Sequence, residues 1–331
     1  MHDFKYRNLL FEKSFLEGFV INLSIPKSAA LEPVTDAFFA NFKRIAAHTI
    51  SPARIAWKVR RDQLLIDHAM FKATGKLEST LEQFPNEGDP EWKKYDEEFT
   101  KGARDFLEKM TPDENNKLIF KYGVQYIETL LEESKHMQDS MEALLSFIIL
   151  GSWTAFESLA SDLWIAGVDN GPGEIAAALL MASKSFKTPE DGIGPKKAHE
   201  VGVNPKTHFG TFLKGTGKVS FQRLRDIQYW FGIAFGQEAS KLFDDVADGY
   251  IFALSAFRNA LTHNAGKADK SFVKHVAAFE EFRSIQPDDP LLLDGEIVRK
   301  LQNASLTLAT HLVRFVDDIL SPPSGQKLVS T

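Results

Sequence analysis

Apolar positions recur at three- and four-residue intervals along most of this chain, the spacing that lines one face of an α-helix. The exception is GFVINLSI, where Phe19, Ile21, Leu23 and Ile25 alternate with more polar neighbours and predict one strand, closed by Pro26. From about Val34 the helical period takes over. Phe38, Phe39 and Phe42 form a stripe, Pro52 opens a second helix, and Ile55, Val59 and Leu65 continue its apolar face. Arg54, Lys58 and Arg61 share another face of that helix, read as solvated surface. Residues 82–98 hold Pro85, Gly88 and Pro90 with seven acids against two lysines, a connecting loop that runs into a helix and offers nothing to a polyanion. Thr111-Pro112-Asp113-Glu114 is a start signal for a helical run through Tyr122, Ile127, Met137 and Leu144 to about Trp164. Its length predicts a break near Gly123 or Gly151, or a helix that bridges two bodies.

Composition then shifts. Residues 169–220 collect eight Gly and four Pro, which predicts a long loop-rich excursion with one short helix over 175–183. Helical spacing resumes over 221–235, 239–263 and 296–320, with a shorter piece at 271–282, and Pro322 and Pro323 stop the last helix. The fold class is therefore all-α. We divide it into a mostly helical N-terminal region of unknown role, 1–125, and a second helical domain, 126–331, that carries 169–220 as an insertion.

Hydrophobic residues make up 44% of the 331, with 27 Phe, enough for a substantial core. A net charge of −6 excludes a protein that coats nucleic acid with its whole surface. Against that background nine Lys/Arg between Lys184 and Arg225 face only Glu190, Asp191 and Glu200, a local excess of +6. Solvated loop charge is the plainer reading of that excess; read as a polyanion surface, it makes Lys196, Lys197, Lys206, Lys214, Lys218, Arg223 and Arg225 the RNA-binding candidates. With no Cys there is no disulfide, thiolate zinc site or cysteine nucleophile. Charges at Asp3, Lys5, Arg7, Glu12, Lys13 and Glu17 interrupt any secretory apolar region, so a cytoplasmic location is expected. The longest apolar stretch, 143–156, is 14 residues, short of the roughly 20 that span a membrane, and reads as a buried helix with no membrane partner. His199, His208, His275 and His311 form no metal spacing and read as ordinary surface or core residues. KGTGKVS departs from a phosphate loop at Phe212 and Val219, and no other cofactor motif is present, so no cofactor is expected.

The chemistry concentrates in Arg258-Asn259-Ala260-Leu261-Thr262-His263, at the end of a helix with Phe252, Leu254, Ala256, Phe257 and Leu261 on its apolar face; Asn264 and Gly266 are read as the left-handed exit. Asn259 and His263, four apart, share a face, and Arg258 reaches the same spot by its length. An imidazole at a helix C-terminus sits where a cation is stabilised. RNA cleavage without a metal asks for such a set: a base for the 2′-hydroxyl proton, a cation for the phosphoryl oxygens, an acid for the departing 5′ oxygen. One His supplies one proton step, and a second copy across a two-fold axis supplies the other, which predicts a homodimer with a composite site. Ordinary helix-end capping is the plain alternative.

FRNALTHNAGKADKSF resembles the signature of the HEPN superfamily, an Arg, a polar residue and a His at a helix end, matched here by Arg258, Asn259 and His263. SFIILGSWTAFESLASDLW resembles the first core helix of that family, with Glu157 as its polar residue; among Trp153, Phe156, Leu159 and Leu163 that carboxylate either faces solvent from an amphipathic helix or partners Arg258 or His263. GEIVRKLQNASLTLATHLVRFVDDIL resembles its closing helix. The resemblance covers about 135–320 and implies a four- or five-helix bundle. Its function would be a metal-independent endoribonuclease of toxin or phage-defence type, with an antitoxin protein as a partner. A non-catalytic RNA-binding or dimerisation module is the alternative the same family allows.

Overall fold

The computed structural model describes residues 26–81, 83–183, 208–244 and 249–322. Among these every regular element is a helix, and the β contribution is one isolated antiparallel bridge between Lys267 and Pro290. The all-α expectation holds. The strand expected over 19–25 lies outside the described residues.

By internal packing the chain divides into two units, one containing Ala47–Glu142 and the other, in its described part, 26–46, 143–183, 208–244 and 249–322. Residues 26–46 belong with the C-terminal part, where the Lys27 and Ser28 N–H groups donate to the Asp317 carboxylate at 3.0 and 2.8 Å.

Helix α1, Glu32–Thr74, continues through Pro52, where a new helix was expected. Proline deletes one ladder hydrogen bond at a cost of about 3 kcal/mol. Burial on both sides of it, at Ile50, Ala53 and Trp57, offsets that loss. The expected apolar face is also reversed: Ala53, Ala56 and Trp57 are buried, while Ile55 and Val59 are 65% and 53% exposed.

The first unit adds α2 (Pro90–Lys109), α3 (Pro112–Leu118) and α4 (Val124–Glu133). Thr111 and Glu114 close a reciprocal cap at the start of α3, with bonds of 3.2 and 3.0 Å. A single π turn, Ile119–Gly123, joins α3 to α4. Here Gly123 lies against the backbone of α1, since a Cβ on it would stand 2.2 Å from the Ala53 carbonyl oxygen. Trp57 stacks on Tyr122 and donates its indole N–H to Asn115 at 3.0 Å. The helical run then breaks at Ser134, not at Gly151.

Helix α5, Lys135–Asn170, runs unbroken into the second unit. By length and composition it passes for a membrane span, yet half of its most apolar window is buried within the protein. Trp153, Phe156 and Trp164 are sealed in the core. The second unit continues with α6 (Gly173–Ser183), α7 (Phe209–Gly215), α8 (Leu224–Phe235), α9 (Gln237–Lys241), α10 (Tyr250–His263), α11 (Lys270–Val276) and α12 (Gly295–Leu320). The excursion over 169–220 thus contains a second helix, α7, held by Asp169, whose carboxylate accepts from the Gly210 N–H and the Thr211 hydroxyl, each at 2.6 Å. The helix expected over 239–263 is two pieces. Gly249, at φ +82°, turns the chain immediately before α10.

Helix α12 buries Val298, Leu301, Leu308, Leu312 and Val316 along one stripe, and Asp294 caps its first turn. Helix α10 packs on α12 and on α11, and α8 packs on α6 and α9.

Candidate active site

The floor of the site is the outer face of α10. Its inner face buries Ile251, Leu254, Phe257 and Ala260, which turns Arg258, Asn259 and His263 outward. Arg258 is half-buried, and Asn259 and His263 are exposed. The Arg258 guanidinium donates to the Asn259 carboxamide oxygen at 2.9 Å, so the amide orients the cation. All three line one cleft of about 680 Å³.

Helix α10 ends in a tight reversal. The Asn264 and Gly266 N–H groups both reach the Ala260 carbonyl, at 3.0 and 3.1 Å. The left-handed positions are Ala265 (φ +50°) and Gly266 (φ +74°), not Asn264. Alanine there costs about 1 kcal/mol. Backbone bonds from Ala268 to Asp289, Asp288 to Ala268 and Leu291 to Gly266, at 2.9, 2.8 and 2.8 Å, hold the reversal in place. Asn264 instead spends its side chain on Asp269, 2.9 Å away.

Asp269 then starts α11 by accepting the Phe272 N–H at 2.6 Å. That bond, followed by the one from Asn264, outweighs the opposing burial and holds the Asp269 carboxyl below its usual range. Phe272 stands edge-on to Phe257 at 5.0 Å, and Phe282 meets the same ring at 5.2 Å. These rings lock α11 beside α10. As a result Ser271 and His275, both exposed, form a second wall of the cleft.

The third wall is the start of α8. Phe221, 1% exposed, packs edge-on against Trp164, whose indole N–H donates to the Trp230 carbonyl at 2.9 Å. Anchored there, the chain presents Gln222, Arg223 and Arg225 to the cleft. Arg223, the N-cap residue of α8, makes no side-chain cap, and Asp226 in the first turn offsets part of the positive end of the helix. Formal charge on the lining is three arginines against the single carboxylate of Asp269. Such a lining suits a phosphate-bearing ligand.

Of the residues singled out from sequence, Arg258, Asn259, His263, Asn264, Arg223 and Arg225 line this one cleft. Glu157 does not. Its carboxylate accepts the Trp153 indole N–H at 2.9 Å on its own helix and carries a Coulombic interaction with Lys214, so of its two readings the partnership with Arg258 or His263 gives way to these. Lys214 lies over the Phe221 ring at 4.5 Å, where burial lowers its pKa against the pull of Glu157 and Asp162, and it is absent from the lining. Lys218 is half-buried and also outside the lining. Lys196, Lys197 and Lys206 fall outside the described residues.

Sequence reasoning missed His275, Ser271, Asp269 and Gln222. The available signal was a second His twelve positions after His263, across a short Asn/Gly-containing turn followed by an Asp start signal, the pattern of a helical hairpin. Among the described residues no three His, Asp or Glu side chains are grouped as a metal ion would require. Protein-family models, curated proteins and solved structures all yield no match to this chain.

Proposed function

We propose that this cleft binds RNA and cleaves it by attack of the 2′-hydroxyl on the adjacent phosphodiester, in the manner of a HEPN-like endoribonuclease without a metal. The observation that carries the reading is the convergence of Arg258, Asn259 and His263 on one open cleft that Arg223 and Arg225 also line. The arginines neutralise a phosphate and its neighbour along the strand. Arg258, oriented by Asn259, stands ready to hold the non-bridging oxygens as charge builds on phosphorus. His263, exposed at the helix end, transfers a proton. The toxin or defence role belongs to the same proposal.

The test is incubation of purified protein with single-stranded RNA in EDTA, followed by analysis of the new ends. Cyclic 2′,3′-phosphate and 5′-hydroxyl ends are expected, and His263→Ala should lose activity at least 100-fold. Cutting that disappears in EDTA, or survives intact in His263→Ala, rejects the mechanism.

A further inference from the structure

The reaction just described needs two proton transfers, and one imidazole performs one of them at a time. The sequence-based solution was a second chain. The structure assigns another source: we infer that His275 is the second acid–base residue of the cleft, so that one chain carries the whole proton-transfer pair. This inference rests on the ribonuclease reading and deepens it.

Position is the first argument. His275 is exposed on α11 and lines the same cleft as Arg258 and His263. It is set there by three separate devices: the bond from Asn264 to Asp269, the Asp269 cap on the Phe272 N–H, and the edge-on rings of Phe257 and Phe272. A side chain held on its own short helix beside the motif is positioned to serve chemistry there.

Tautomer is the second. His275 Nδ1 stands 2.6 Å from the Ser271 carbonyl oxygen. A carbonyl only accepts, so Nδ1 carries the hydrogen and donates it. In the neutral ring the lone pair is therefore on Nε2, and in the charged ring Nε2 gains the transferable proton. The Ser271 hydroxyl, 3.4 Å from the same nitrogen, is a distant second contact. Other charged groups on the cleft are Arg223, Arg225, Arg258, His263 and Asp269. Asp269 has both oxygens engaged, by Asn264 and by the Phe272 N–H.

The step balances without a co-reactant. One imidazole takes the 2′-hydroxyl proton as the O2′–P bond forms. As the P–O5′ bond breaks, the imidazolium of the other gives its proton to O5′. Products are a cyclic phosphate and a free 5′-hydroxyl, and the two rings have exchanged protonation states.

The test is the pH–rate profile of RNA cleavage by wild type, His275→Ala and His275→Asn, with RNA binding measured in parallel. Asn retains a donor for the Ser271 carbonyl and cannot transfer a proton. Wild type should show a bell. Both variants should bind RNA within threefold of wild type, cleave at least 100-fold more slowly, and lose one limb of the bell. Mixing His263→Ala with His275→Ala protein should restore no activity, because neither chain then has both rings. Four results overturn the inference: variant rates within threefold of wild type, both limbs retained in a slowed variant, recovery in His275→Asn alone, or activity regained on mixing. A wild-type protein that cuts no RNA fails the ribonuclease reading itself and removes this inference with it, so the two failures look different.

Discussion

The Asn264 carboxamide donates to the Asp269 carboxylate across 2.9 Å, joining the last turn of the motif helix to the first turn of the next. The other Asp269 oxygen accepts the Phe272 N–H. Because these bonds favour the charged form, the folded carboxyl titrates below the unfolded one, whose ordinary value is 3.8. Their contribution is present above that ordinary value and is lost as pH falls through the lower, folded value. Asp269→Ala should lower stability by about 1 kcal/mol at neutral pH, as loss of a helix cap does. The gap to wild type should narrow as the pH drops below the ordinary aspartate range. Urea unfolding at pH 7 and at acid pH checks both.

Arg223 and Arg225 are exposed and line the cleft from the start of α8, whereas His263 and His275 come from α10 and α11. Replacing either with Ala should weaken RNA binding to a similar degree for every sequence tested. The slope of log affinity against log salt should fall by about 0.7 per arginine removed. A variant with unchanged slope would place that arginine outside the phosphate path.

Production of the active protein should arrest growth of the host cell, and the pair Arg258→Ala/His263→Ala should relieve the arrest at equal protein level. Growth curves with matched immunoblots decide this. Equal arrest by the double variant would separate any toxicity from the cleft.

In the first unit, Gly123→Ala should cost about 1–3 kcal/mol, the range for overpacking. The added methyl would stand 2.2 Å from the Ala53 carbonyl oxygen, and a backbone atom cannot rotate aside. A thermal melt measures the loss. An unchanged midpoint would mean that α1 and the π turn can separate freely.

How much of this was legible beforehand depended on the range of each interaction. Asn259 and His263 were legible because the 3.6-residue period places them on one face, and Arg258 because its long side chain reaches the same helix end. Arg223 and Arg225 stood out by charge against an acidic background. Whether a helix survives a proline is decided by remote packing, so Pro52 was read as a start when Trp57 and its neighbours carry α1 through it. Glu157 stayed open between solvent and a distant partner, because nothing in the 3.6-residue period shows that Trp153, one turn back, takes its carboxylate. His275 was set aside because it was judged only as a metal ligand; its position depends on the angle at which α11 returns, which the Phe257 and Phe272 rings set.

The stitched reversal at Ala265 and Gly266 has a bearing on how such a protein is compared with others. The residues up to His263 hold half of the proposed proton-transfer pair, and the length of the turn after them positions the other half. A single residue inserted between Gly266 and Ala268 would leave every lining side chain in the text of the sequence. It would also change the spacing of the two residues that bond to 288–291, and with it the place at which Asp269 starts α11. For this chain the length of the turn is therefore as much a part of the signature as the letters on either side of it.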